Sequence, residues 1–232
     1  MRTFFIVVAL AVLLTGVVSA STILVPGTSD IWLAGMLNGA TASIDDFAPG
    51  QSPVLVTGFT LTAGGTLTFS ATGGVINTPS CPPSCNGPDG GSFYVHLTGA
   101  ENGIANVTAP INSVMGIFLD ASQPNLSAAP SALNFSTGLG INYLTLSPGL
   151  KQPFFIGDGL TSGSVQQTIV IPVGATRLFL GTMDGYEWRN NSGSFSVTVT
   201  QPPSDVPSPE PASLSLLAGG LFALAFWKRR RN

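Results

Sequence analysis

Asp184, Glu187, Asn190 and Asn191 place four oxygen-bearing side chains inside one short run, Gly181-Thr-Met-Asp-Gly-Tyr-Glu-Trp-Arg-Asn-Asn-Ser-Gly-Ser-Phe-Ser-Val197. Carboxylate and amide oxygens, with glycines that let carbonyls turn inward, are what a hard cation needs when it takes about six to eight oxygen ligands. Calcium fits this donor set. Zinc does not, because it favours His or Cys and the only histidine, His96, lies in a strand-like stretch. The same residues also suit an Asn- and Gly-rich hairpin whose amides merely cap turns, so residue type alone leaves both readings open. Tyr186 and Trp188 flank the run, where they either stack on a ligand face or pack into the domain. Trp32, set among Ile31, Leu33 and Ala34, reads as core.

Other chemistry is poorly provided for. Asp184 with Asp89 or Glu187 supplies a nominal acid pair, but nothing in the sequence places two carboxylates across one cleft. His96 has no serine elbow, and Gly-x-Ser-x-Gly is absent. The expectation is therefore a protein that is not an enzyme. Cys81 and Cys85, in Cys-Pro-Pro-Ser-Cys, are the only cysteines; in an exported chain they read as a small-loop disulfide. A metal site would need more ligands than two thiols, and a redox motif normally has two intervening residues. Over residues 21–205 the chain keeps Lys151, Arg177 and Arg189 against ten acidic residues, a balance of −7. That excess disfavours a nucleic-acid partner, since nothing neutralises phosphate.

These residues must be held by strands. Gly, Pro, Asn, Ser and Thr punctuate short apolar alternations, and no long helical period occurs, so the chain reads as all-β. The clearest strands are 66–71 and 194–200, with apolar and hydroxyl side chains on alternate positions. Further strands are expected at 54–62, 93–97, 115–119, 154–156, 167–172 and 177–182. Asp-Gly or Asn-Gly turns at 89–90, 102–103, 158–159 and 184–185 separate them. Residues 121–150 read as a long decorated loop, with room for one helical turn. Strands spaced in this way close as a sandwich or jelly roll.

Both ends are hydrophobic. Arg2, the apolar run from Phe4 to Val17 and the small residues Val18-Ser19-Ala20 make residues 1–20 a secretory signal peptide. At the other end a proline-rich linker, 201–211, leads into an uncharged segment, 212–227, and the basic tail 228–232. Sixteen residues at about 1.5 Å each cover roughly 24 Å, so Trp227 would sit at the interface and the basic cluster among cytoplasmic headgroups. Pro209-Glu210-Pro211, the apolar helix and the Arg229-Arg230-Arg231 cluster resemble the PEP-CTERM sorting signal. The resemblance implies a transient membrane anchor. It also implies processing near the triplet by an exosortase, in bacteria that make extracellular polysaccharide, and release to the cell surface or matrix.

The segment Asn190-Asn-Ser-Gly-Ser-Phe-Ser-Val197, with the preceding Asp184 loop, resembles the calcium and sugar loop of the bacterial galactophilic (PA-IL-like) lectins. Val56-Thr57, Ala63-Gly64, Ala71-Thr72-Gly73 and Phe155-Ile156-Gly157 extend that resemblance from about residue 53 to 200. It implies a jelly-roll-like β-sandwich over 53–200, with 21–52 as an N-terminal extension. It further implies a calcium ion that coordinates sugar hydroxyls directly. Asp184, Asn190 and Asn191 would supply side-chain oxygens, and carbonyls near Asn77 and Glu187, or the Glu187 carboxylate, would complete the shell. The Asp-to-Asn spacing is one residue shorter than the family pattern. The family's His-Pro-Asp-Gln sugar contact stands here as Gly87-Pro88-Asp89-Gly90, keeping only the acid. Asp89, Asp184, Asn190 and Trp188 are thus the expected sugar contacts, and an extracellular polysaccharide the expected partner.

Overall fold

A strand that alternates apolar and hydroxyl side chains can bury one face only, and the two longest strands do so. The computed structural model describes residues 19–77 and 85–202, together with Arg229. Thr66–Ile76 buries Leu67, Phe69, Ala71 and Val75, and Ser192–Gln201 buries Phe195, Val197 and Val199. They pair antiparallel from Ser192↔Ile76 to Thr200↔Thr68. Ser19–Pro26 adds to the outer side of Ser192–Gln201, while Thr168–Val170 and Thr145–Leu146 extend the other side into a five-stranded sheet.

The second sheet has four strands, in the order Phe154–Phe155, Val114–Leu119, Arg177–Thr182 and Val54–Leu55, all antiparallel. Every residue of Val114–Leu119 is buried, which explains why that run is apolar without alternation. The inner faces of both sheets share one hydrophobic cluster that includes Leu67, Phe69, Phe195, Ile117, Phe118, Phe154 and Leu180. This is an all-β sandwich. A smaller sheet, Phe93–Val95 with Val107–Pro110 and Leu133–Asn134, and the hairpin Thr41–Ala42 with Asp46–Phe47 flank it.

The expected strands at 66–71, 115–119, 177–182 and 194–200 are present with extended or identical limits. The expected strand at 54–62 shrinks to Val54–Leu55, because Gly58 and Gly64 take φ of +86° and +77° and turn the chain out of the sheet. Asn102-Gly103 forms a two-residue turn with φ of +51° and +72°, closed by Glu101 and Ile104, each donating its N–H to the other's carbonyl. Residues 121–150 carry a single 3-10 turn, Pro124–Leu126, and two short strands. Residues 21–52 are not an appendage. Ser19–Pro26 is a sheet strand, and Ile31–Leu33 is a fully buried 3-10 turn.

The remaining expectations for the chain ends fall on residues outside those described. They are the signal peptide apart from Ser19 and Ala20, the proline-rich linker beyond Pro202, the Pro209-Glu210-Pro211 triplet, the 212–227 span and the basic tail apart from Arg229. Among the described residues no helix is long and apolar enough to cross a membrane. Cys85 is disulfide-bonded and has no titrating thiol, and Cys81 lies outside the described residues.

Beneath the loop that joins Arg177–Thr182 to Ser192–Gln201 lies a buried aromatic and polar cluster. The His96 ring stacks on Trp32 with centroids 3.5 Å apart, and Trp188 packs at 5.7 Å from His96 and 5.5 Å from Trp32. His96 Nδ1 is 2.7 Å from the Gly99 carbonyl, and Thr98 and Ser43 hydroxyls approach Nε2 at 2.9 and 3.3 Å. Burial lowers the His96 pKa to about 4, the Gly99 bond opposing it. The folded state then binds fewer protons than the unfolded state between that value and the ordinary 6.5. Its contribution to stability is complete above pH 6.5 and is lost as pH falls towards 4. Asp30, Asp46 and Asp184 act in the opposite sense, since burial raises their pKa values and the folded state takes up protons first. His96→Gln is therefore expected to flatten the acid limb of stability against pH, by about 3 kcal/mol across that window. Urea unfolding of both proteins at steps from pH 7 to 4 reads this, and parallel limbs would contradict it.

Candidate functional site

The loop from Met183 to Asn191 leaves a six-residue strand and re-enters a ten-residue one, so both its ends are fixed in different sheets. Its middle is the 3-10 turn Trp188–Asn190. Such a turn exposes N–H groups at its start, and a buried carboxylate meets them: Trp188 N donates to Asp46 Oδ2 at 2.8 Å and Arg189 N to Asp46 Oδ1 at 2.9 Å. Trp188 itself is fully buried, its Nε1 donating to the Thr182 carbonyl at 3.0 Å. It anchors the loop from below. Trp188 therefore cannot stack on a sugar, and that expectation is corrected: its indole packs at an angle against the stacked Trp32 and His96 rings.

Asp184, Glu187, Asn190 and Asn77 line one cavity of about 310 Å³, together with Tyr94, Leu97, Ile111, Gly185 and Tyr186. Four of the five expected metal ligands thus gather at one place from two separate parts of the chain. The fifth, Asn191, is buried directly behind. Its Nδ2 donates to the Gly27 carbonyl at 3.1 Å, its side chain also hydrogen-bonds Asp184, and its Oδ1 has no hydrogen-bond partner among the described residues. Gly27 O accepts from Thr182 Oγ1 as well, at 2.8 Å, so residues before position 52 buttress the site.

Asp184 is only 5% exposed. Burial raises its pKa, while the Gly185 N–H, the Asn191 amide and the Tyr186 N–H favour the charge and Asp46 disfavours it. Glu187 has both oxygens engaged: Oε1 accepts from Arg189 Nε at 2.7 Å and Oε2 from Asn190 Nδ2 at 2.9 Å. Arg189 is also ion-paired with Asp45 at 2.9 Å. Glu187 is a brace for the loop as well as a wall of the cavity. Asn77 Oδ1 accepts from Asn112 Nδ2 at 3.2 Å, and Asn112 Nδ2 donates to Asn86 Oδ1 at 2.7 Å. That asparagine cluster holds Asn77 in the cavity wall.

Asp89 does not line the cavity. Its Oδ1 accepts the Asp158 N–H at 2.9 Å, and an added Cβ on Gly157 would meet the same oxygen at 2.4 Å. The expected sugar contact at Asp89 is corrected accordingly: the carboxylate pins the 157–159 turn. Tyr94, Leu97 and Ile111, by contrast, lie in the cavity wall without having been singled out in the sequence. Phe93, Tyr94 and Val95 are consecutive and all more than two-fifths exposed, an unusual run for one short strand, but no sequence signal places Tyr94 against Gly185. That contact is close: a Cβ on Gly185 would lie 2.5 Å from Tyr94 Cε1.

The donors suit a hard cation: one desolvated carboxylate, amide oxygens and a buried acceptor without a donor. Among the described residues no group of three or more His, Cys, Asp or Glu side chains gathers, so an ion held there would depend on amide and carbonyl oxygens beside the Asp184 carboxylate.

An all-β sandwich with an acid- and amide-lined cavity at one loop is what fold and site define. Residues 209–231 match the family model of the PEP-CTERM protein-sorting motif. The chain thus carries a signal of exported, surface-sorted proteins. Among solved structures, the EclA N-terminal domain, a PllA-like lectin, superposes with a TM-score of 0.33 and 16% identity, covering 78% of this chain and 94% of that one. No curated protein matches the chain.

Proposed function

We propose that this is an exported surface or matrix protein whose sandwich binds calcium at the Asp184 loop and, through the ion, a carbohydrate. The observation that carries this reading is the Asn191 Oδ1, without a partner among the described residues and buried beside the desolvated Asp184 carboxylate in a loop fixed at both ends. A buried acceptor without a donor costs about 1–3 kcal/mol, and a buried carboxylate more; a divalent cation resolves both. Asp184, Asn190 and Asn191 supply side-chain oxygens, with Asn77 and Glu187 completing the shell. One strong carboxylate among neutral oxygens gives a moderate site, in the roughly 10⁻⁴ to 10⁻³ M range of extracellular calcium modules. The sugar then binds by its hydroxyls to the ion. A glycan array probed with the protein in calcium and again in chelator tests the reading. Calcium-dependent spots are expected; a blank array in calcium would leave a structural matrix protein without a ligand.

The tail is proposed to be removed near Pro209-Glu210-Pro211 by an exosortase after transient anchoring through 212–227. Mass spectrometry of the surface or released protein, from a host that has the enzyme, should find no species retaining Asn232. An intact C-terminus would exclude processing.

A further inference from the structure

The cavity has two unlike walls. Asp184, Glu187, Asn190 and Asn77 present carboxylate and amide groups, whereas Tyr94, Tyr186, Leu97 and Ile111 present rings and aliphatic carbon. The aromatic wall is exposed, with Tyr94 at 44%, Tyr186 at 43% and Leu97 at 59%. It is also held in place. The Tyr94 ring lies against the Gly185 Cα so closely that any Cβ there would clash, and Leu97 N donates to the Gly185 carbonyl at 2.8 Å. The strand Phe93–Val95 and the Asp184 loop are thus fastened together at the residue that follows the buried carboxylate. A ligand in this cavity must offer hydroxyls to one side and carbon to the other.

We infer that Tyr94 and Tyr186 form an aromatic platform for the C–H face of a pyranose whose hydroxyl edge meets the Asp184 wall, and that this platform selects the sugar. A pyranose ring has this two-faced character, and stacking on an aromatic face is the common way of recognising its carbon side. The inference rests on the proposed carbohydrate reading.

The test titrates the protein, in saturating calcium, with the methyl glycosides of galactose, glucose and mannose. Calcium affinity is measured on every variant. At least one of these glycosides is expected to bind. Tyr94→Ala and Tyr186→Ala are each expected to weaken the glycoside about tenfold while leaving calcium affinity unchanged. Tyr94→Phe and Tyr186→Phe should keep it, because the ring face and not the hydroxyl makes the contact. Unchanged glycoside affinity in both alanine variants would overturn the platform and leave the carbohydrate reading standing. Loss in the phenylalanine variants equal to that in the alanine variants would overturn it in favour of hydroxyl contacts. No binding of any sugar by a calcium-loaded protein would overturn the platform together with the carbohydrate reading, and the calcium site would survive. Self-association that Tyr94→Ala abolishes would assign the apolar wall to a second copy of the chain instead.

Discussion

Saturating calcium is expected to raise the melting temperature of the protein by about 5–11 °C, and Asp184→Ala to remove the whole of that rise. A ligand at a hundredfold excess over its dissociation constant stabilises the folded state by about 2.7 kcal/mol. For a domain of this size each kcal/mol is worth about 2–4 °C. The effect falls on Asp184 because it is the one buried carboxylate that lines the cavity, and its charge is held only by N–H groups and the Asn191 amide. Without calcium the variant should be no more stable than the parent, since the Gly185 and Tyr186 N–H groups and the Asn191 amide lose their acceptor. Asp205→Ala, in the proline-rich linker, should respond to calcium like the parent. The response also has a pH sense. Burial raises the Asp184 pKa, so calcium competes with protons for the carboxylate, and the shift should shrink as pH falls. Differential scanning calorimetry with calcium and with chelator measures all of this. Equal shifts in parent and Asp184→Ala would place the ion elsewhere.

The second large effect is structural. Trp188→Ala is expected to destabilise the protein by about 3–5 kcal/mol, a large part of the ~5–15 kcal/mol that holds a typical domain together. The indole is fully buried, contacts Trp32 and His96, and donates to the Thr182 carbonyl, so its removal opens a cavity and orphans an acceptor. Trp188→Phe retains part of the packing and loses the donor, and should cost less. Because Trp188 lies between Glu187 and Asn190 on one 3-10 turn, both variants should also weaken calcium binding, Trp188→Ala more. Denaturant unfolding gives the first quantity and calcium titration the second. An alanine variant of parental stability would mean that the turn does not depend on its anchor.

Alternation made the sheet strands around Phe69 and Val197 readable, and local oxygen donors made Asp184, Asn190 and Asn191 conspicuous, because both signals lie within a few consecutive residues. What the sequence hides is carried by long separations. Asp46 caps the turn at Trp188 and Arg189 from more than a hundred residues away, and Gly27 O holds Asn191 from farther still. Nothing local marks either role, so the segment 21–52 reads as an extension although it supports the site. Trp188 shows the converse. A tryptophan beside a polar loop has the composition of a sugar platform, yet a 3-10 turn points it inward and brings Tyr186 to the cavity wall instead. Asp89 fails for the same reason: retention of a motif acid does not fix its partner, and here the partner is the Asp158 N–H.

A crystal structure of the protein grown in calcium, with the ion identified by its anomalous signal, decides the central claim. The account predicts one calcium ion in the cavity, bound by Asp184, Asn190 and the Asn191 Oδ1 at about 2.3–2.6 Å. Asn191 Oδ1 satisfied by a water or a rotated amide, with no ion within reach of Asp184, would contradict it.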